Sequence, residues 1–249
     1  LGGKELGYAS DLDLVFLYDD AAPEAPESYA RFAQRINTWL TSLTPAGVLY
    51  DTDLRLRPDG ASGMLVSPID AFEEYQYQHA WVWEHQALTR ARYCAGDAQV
   101  GERFENIRRA LLRERRDLEN LRREIVAMRK KMLDAHPNRS GLFDLKHDRG
   151  GIIDVEFLVQ YLVLGYAHLH PELTGNIGNL ALLKLAGALG LIPAALAEDM
   201  RSAYREFRRR QHMLRLAGEK YARVKPADVS AHARPVVALW QLVFDGQDA

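Results

Sequence analysis

The chain has 249 residues, 47% of them hydrophobic and 27% charged, with a formal net charge of −2. That is the make-up of a soluble globular protein with room for one large domain or two ordinary ones. A charge so near zero gives no bulk field to recruit nucleic acid or an anionic membrane, so neither is expected as a partner. The single Cys94 excludes an internal disulfide framework, no Cys/His spacing suits zinc, and no signal peptide or bilayer-long apolar run is visible. A reducing, cytoplasmic setting is the simplest expectation. The sequence starts at Leu1 rather than Met, and so reads as a piece of a longer polypeptide that lacks whatever precedes Gly2.

The opening stretch, LGGKELGYASDLDLVFLYDD, places Asp11 and Asp13 one residue apart at the head of the apolar run Leu12, Leu14, Val15, Phe16, Leu17. If that run is one buried strand, alternation sends both carboxylates to the same side. Two like charges held so close repel and lose solvation, so a neutralising group is required. Mg²⁺ fits, being held by one or two carboxylates plus substrate phosphates. Gly2 and Gly3 let backbone N–H groups approach an anion, and Ser10 adds a hydroxyl. Together these residues read as a pocket for a nucleoside triphosphate. An Asp-x-Asp pair alone is as well explained by a solvated strand edge; a third carboxylate on a neighbouring strand would decide the matter.

Next, Tyr29, Phe32, Ala33, Ile36, Trp39, Leu40 and Leu43 recur at helical spacing, predicting a long helix whose aromatics belong to the core. In GVLYDTDLRLRP, period two puts Asp51, Asp53, Arg55 and Arg57 on one face of a second strand. Two acids followed by two arginines suit a metal at one end and phosphate oxygens at the other, whereas an edge strand laced with ion pairs is the plainer alternative. Met64 to Val66 predicts a short third strand, and Ser67-Pro68 the start of a helix with Asp70 in its first turn. A further helix is expected from Trp81 to Cys94, with both tryptophans as core anchors and His85 as a hydrogen-bonded structural histidine. On that helix Arg90 and Arg92 would point in different directions and could not share one phosphate.

From Gly96 onward the pattern turns almost wholly helical, which sets the expected domains at 1–95 and 96–249. Leu118, Leu121, Ile125, Met128 and Met132 form an apolar stripe flanked by Arg122, Arg123, Arg129 and Lys130, read as a solvated face. FDLKHDRGGIIDVEFLVQYLVL then interrupts with Gly-containing backbone carrying Lys146, before a buried apolar helix whose Asp154 and Glu156 are explained by the helix dipole. Helices over 179–189, 194–221 and 236–244 complete the chain.

A Gly-Gly and Asp-x-Asp opening, a distant Asp on a second strand and nearby positive groups resemble the DNA polymerase β-like nucleotidyltransferase superfamily. Over ELGYASDLDLVFLYD, GVLYDTDLRLRPDGASGMLV, WVWEHQALTRARYCAGD and FDLKHDRGGIIDVEFLVQYLVL the chain resembles the glutamine synthetase adenylyltransferase family, whose members add AMP to glutamine synthetase and remove it. Gly63-Met64-Leu65, Asp144-Leu145-Lys146 and Asp154-Val155-Glu156 are similar to the family's carboxy-terminal, adenylylating unit. The family more often has Glu-Val-Asp where this chain has Asp51-Thr52-Asp53. The resemblance implies an α+β fold, a polymerase β-like nucleotidyltransferase sheet with flanking helices followed by an all-α bundle. It implies ATP as substrate and Asp11, Asp13 and Asp53 as catalytic ligands of Mg²⁺. Gly2, Gly3, Ser10, Arg55, Arg57 and Lys146 are the implied nucleotide-binding residues. The implied partners are glutamine synthetase and a PII-type regulatory protein. The alternatives are phosphorolytic deadenylylation, or a module that senses a nucleotide or docks a regulator without catalysis.

Overall fold

Residues 2–8 and 10–245 are described by a computed structural model. They form two compact units, one of Gly2 with residues 10–111 and one of Gly3–Tyr8 with residues 112–245. Helices and short strand pairs are mixed, an α+β chain as expected. Among the described residues no helix is long and apolar enough to cross a membrane.

The first unit runs β1 (Leu12–Asp13), β2 (Phe16–Tyr18), α1 (Ala25–Thr41), β3 (Leu43–Thr44), β4 (Gly47–Val48), β5 (Thr52–Asp53), β6 (Val66–Pro68), α2 (Ile69–Gln78), α3 (Val82–Leu88) and α4 (Ala98–Leu112). Instead of one strand from Leu12 to Leu17, the chain changes partner at Leu14-Val15. β1 pairs in parallel with β5 and β2 in parallel with β6, while β3 and β4 form a small antiparallel hairpin. Parallel pairing demands a crossover, and α1 supplies it. Tyr18, Ala25, Ala33 and Val66 make the buried cluster between helix and strands, with Phe16, Ala22, Ala30 and Leu65 packed around it.

The expectation that the α1 aromatics fill the core fails. Tyr29, Phe32, Trp39 and Leu43 are 37, 56, 68 and 81% exposed, and the buried positions of α1 are Ala25 and Ala33. The cause is size. The 17 residues of α1 extend about 25 Å, whereas strands of two or three residues cover roughly 10 Å or less. Only the alanine-lined turns lie on strands, where the small side chain permits close approach. Tyr29 still stacks on the buried Tyr18, with ring centroids 5.0 Å apart.

A second correction concerns α3, which stops at Leu88 rather than Cys94 and leaves Trp81 and Trp83 exposed. Its buried face is polar instead. Glu84 accepts from Tyr75 Oη at 3.0 Å and from the Trp81 N–H at 2.8 Å. His85 is a satisfied structural histidine, its Nε2 2.9 Å from the Gln76 carbonyl oxygen.

The second unit contains α5 (Leu118–Ala135), β7 (Phe143–Asp144), α6 (Ile152–Tyr166), α7 (Asn179–Ala188), α8 (Ala194–Leu216), β8 (Arg223–Val224) and α9 (Ser230–Trp240). Asp117 caps α5 by accepting from the N–H groups of Glu119 and Asn120 at 3.0 and 3.3 Å. α6 is apolar nearly all round and is therefore buried among its neighbours; Val155, Leu158 and Leu164 are wholly inaccessible. Gly165 lets α5 come close, since a Cβ there would lie 3.0 Å from Leu118 Cδ2.

Arg129, assigned from the sequence to a solvated face, is buried. Its Nε donates to Asp154 Oδ1 and its Nη2 to the His147 carbonyl at 2.7 Å, while Asp154 Oδ2 accepts from the Gly150 N–H. Asp154 is thus an ion-pair partner as well as a first-turn acid. Burial pushes its carboxyl up, against the opposing pull of Arg129.

Candidate active site

The parallel register sets Leu12 against Thr52 and Asp13 against Asp53. The Leu12 N–H donates to the Asp51 carbonyl and the Leu14 N–H to the Asp53 carbonyl, both at 2.9 Å. Registered residues of paired strands share a face, so Asp13 and Asp53 stand side by side. Asp11, two residues back, adds its charge. Asp13 is open to solvent at the residue level, yet protein atoms crowd its carboxyl. Its pKa is pushed up, first by burial and then by the like charges of Asp11 and Asp53, with Arg55 opposing.

Asp53 answers differently, because the chain turns immediately after β5. Both its oxygens face Arg55: Oδ1 accepts from the Arg55 N–H at 2.9 Å and from Nε at 3.0 Å, and Oδ2 accepts from Nε at 2.9 Å and from Nη2. The Arg55 hydrogen bond holds the Asp53 carboxyl below the usual range. That guanidinium is 77% exposed, so it is a counter-ion at the solvent edge, where a cation could replace it.

The expected row on one strand face is therefore corrected. Residues 55–59 form turns and a bend, and Arg57 points into its own loop. It donates from Nη1 to the Leu54 carbonyl at 2.7 Å, from Nε to that of Gly63 at 3.1 Å and from Nη2 to that of Ala61 at 3.2 Å. The loop it clamps is tight: a Cβ at Gly63 would meet the Pro58 carbonyl oxygen at 1.9 Å.

Of the other nucleotide-binding candidates, Gly2 and Ser10 belong to the first unit, and Gly3 and Lys146 to the second. Lys146 is exposed on a turn after β7. Asp144 shapes that turn, accepting from the N–H groups of Lys146 and His147, both at 3.0 Å, and from Arg223 Nε at 3.3 Å. Although burial pushes the other way, these donors and the His147 ring keep the Asp144 carboxyl far below its ordinary range.

Among the described residues no group of three or more His, Cys, Asp and Glu side chains forms a ready metal cluster. The donor chemistry nonetheless suits Mg²⁺. The three carboxylates would offer hard oxygens, and Asp13, raised first by burial, is raised further by the like charges of Asp11 and Asp53. Asp53 would have to exchange Arg55 for the ion.

Strands carrying an Asp-x-Asp and a facing Asp, joined by a helical crossover, define a nucleotidyltransferase-type protein, and family models agree. The model for glutamate-ammonia ligase adenylyltransferase matches residues 1–107 and that for GlnD PII-uridylyltransferase residues 107–240. The bifunctional glutamine synthetase adenylyltransferase/adenylyl-removing enzyme of Aromatoleum aromaticum is 63% identical over 98% of this chain and 26% of its own length. Those of Nitrosomonas eutropha and Bordetella bronchiseptica are 60 and 58% identical, also over 98% of the chain, covering 28 and 26% of theirs. The chain belongs to the glutamine synthetase adenylyltransferase family. It spans about a quarter of the length of these relatives.

Proposed function

We propose that this chain is the adenylylating unit of such an enzyme, transferring AMP from ATP to a tyrosine hydroxyl of glutamine synthetase. In the transfer, the tyrosine oxygen bonds to the α-phosphorus, the bond to the β-phosphate oxygen breaks, pyrophosphate leaves and the hydroxyl proton is released. The observation that carries the reading is the register of Asp13 against Asp53 with Asp11 two residues away. On this reading Asp11, Asp13 and Asp53 hold Mg²⁺, which when bound stabilises the entering and leaving oxygens of an in-line displacement. A free tyrosine has a pKa of ~10, so its proton needs an acceptor. Asp53 is the candidate acceptor once it has exchanged Arg55 for the ion, because the Arg55 hydrogen bond that lowers its pKa weakens it as a base. Gly2 and Ser10 cradle the β- and γ-phosphates. Arg55 offsets triphosphate charge, and Arg57 acts there through the loop it clamps.

The same reading carries a polymerase β-like sheet followed by a helical bundle, a cytoplasmic setting and a PII-type regulator. The relatives' name also includes an adenylyl-removing activity, which supports a second reading, phosphorolysis of adenylylated glutamine synthetase to release ADP. The motifs similar to the adenylylating unit favour the first. Incubation with glutamine synthetase, Mg²⁺ and labelled ATP tests it. Asp11→Asn and Asp53→Asn should abolish label transfer with folding intact, and full activity in either refutes the roles given. Release of ADP from adenylylated substrate and phosphate, without transfer from ATP, would select the second reading.

A further inference from the structure

We propose that Arg92 is a triphosphate-binding residue; the proposal rests on the adenylyl-transfer reading above, in taking Gly2 as part of the phosphate loop. Arg90 and Arg92 follow the end of α3 at Leu88 and lie in turn and irregular backbone. The helical geometry that would splay them does not apply.

This segment lies directly against Gly2. A Cβ on Gly2 would fall 2.1 Å from the Arg90 carbonyl oxygen and 3.3 Å from the Arg92 backbone nitrogen. Only a hydrogen fits there. An anion held by the backbone around Gly2 is therefore within the reach of an arginine side chain leaving residue 92.

The segment is also held in place from behind. Arg108, 1% exposed on α4, donates from Nε to the Ala91 carbonyl at 3.0 Å. Glu105, one turn earlier, accepts from the Tyr93 N–H at 3.0 Å and lies 3.6 Å from Arg108 Nε. Burial pushes the Arg108 guanidinium pKa down, and a buried charge persists only where hydrogen bonds compensate it. Here that compensated pair brackets residue 92 on both sides. Arg92 itself is exposed, and among the described residues no hydrogen bond or ion pair engages it. A rigidly anchored backbone carrying an uncommitted guanidinium beside a glycine suits bidentate recognition of phosphate oxygens.

Calorimetric titration of the full chain with Mg²⁺–ATP and with AMP tests the proposal. Arg92→Ala should weaken ATP binding about ten- to a hundredfold, the range for a hydrogen bond to a charged group, and leave AMP binding and the unfolding midpoint unchanged. Arg92→Lys should recover part of the ATP affinity. Unchanged ATP affinity in Arg92→Ala, while Asp13→Asn abolishes AMP transfer, overturns the Arg92 proposal and leaves the adenylyl-transfer reading standing. Equal losses for ATP and AMP overturn it too. An unaltered chain that binds no Mg²⁺–ATP overturns both.

Discussion

Asp13 sits in register with Asp53 and two residues from Asp11, and its carboxyl is pushed up by burial first and by those like charges next. In the absence of a cation, ionising it costs the fold stability. Asp13→Asn should therefore raise the Mg²⁺-free unfolding midpoint by about a few degrees at most. The same variant should lower AMP transfer by about two to three orders of magnitude. The sign with pH follows from the raised value. The penalty is full above the folded pKa and is relieved as the pH falls toward the ordinary ~3.9 of a carboxylate. The midpoint gap between variant and parent should then close on acidification, and a gap constant across a pH series would contradict the electrostatic account. Asp53 carries the opposite sign: Arg55 lowers its pKa, so its contribution is present above ~3.9 and lost in acid. Arg55→Ala should raise the Asp53 pKa, as followed by carboxyl NMR. That Asp13 and Asp53 lie on short strands was legible, because period-two alternation needs only local backbone. The return of Arg55 onto Asp53 was not, since Leu54, Arg55 and Leu56 carry no turn signal and the alternation runs on past the real end of β5.

At the scale of elements, periodicity located α1 but misjudged which residues it buries. A helical stripe shows which face is apolar, and the length of the strands beneath decides how much of that face is covered. For α3, Trp81 and Trp83 suggested anchors, whereas the buried positions are Glu84, His85, Gln86 and Leu88. Polar burial leaves no periodic trace, because each such side chain is satisfied by a partner chosen in three dimensions. The Arg129–Asp154 pair is the same case across α5 and α6, since its members are 25 residues apart. Arg129→Met would leave Asp154 buried and unpaired, at about 3–5 kcal/mol by urea unfolding, and Arg129→Met with Asp154→Leu should recover much of that loss. A double variant no more stable than the single one would show that the ion pair is not what the site requires. Leu158 on α6 is wholly buried; Leu158→Ala should cost about 2–5 kcal/mol by the same measurement.

Over the whole molecule, the change of composition at Gly96 marks where helix begins, while the compact units divide between Leu111 and Leu112. Composition cannot tell which core a helix serves. α4 serves the first unit: Arg103 bridges Asp19 and Asp70, Phe104 meets Phe72 with ring centroids 6.0 Å apart, and Ile107 and Leu111 are buried. Nor could local pattern assign Gly3–Tyr8 to the second unit, since the partners of Glu5 lie 174 and 199 residues away. Its carboxylate accepts from the Asn179 N–H at 2.9 Å, from Asn179 Nδ2 at 2.8 Å and from Tyr204 Oη at 3.0 Å. Arg208 Nη2 donates to the Glu5 carbonyl. Glu5 thus ties the amino-terminal segment to the start of α7 and the middle of α8, and its loss strands the N–H of the buried Asn179, while Asn179 Nδ2 keeps Tyr204 Oη at 2.9 Å and Tyr204 Oη keeps Glu156 Oε1 at 3.2 Å. Glu5→Ala should cost roughly 3 kcal/mol, and Glu5→Gln less, because one carbonyl oxygen remains to accept. Urea unfolding gives the totals, and hydrogen exchange at the Asn179 amide gives the local effect. If that amide keeps its protection in Glu5→Ala, the segment is held by something other than this carboxylate.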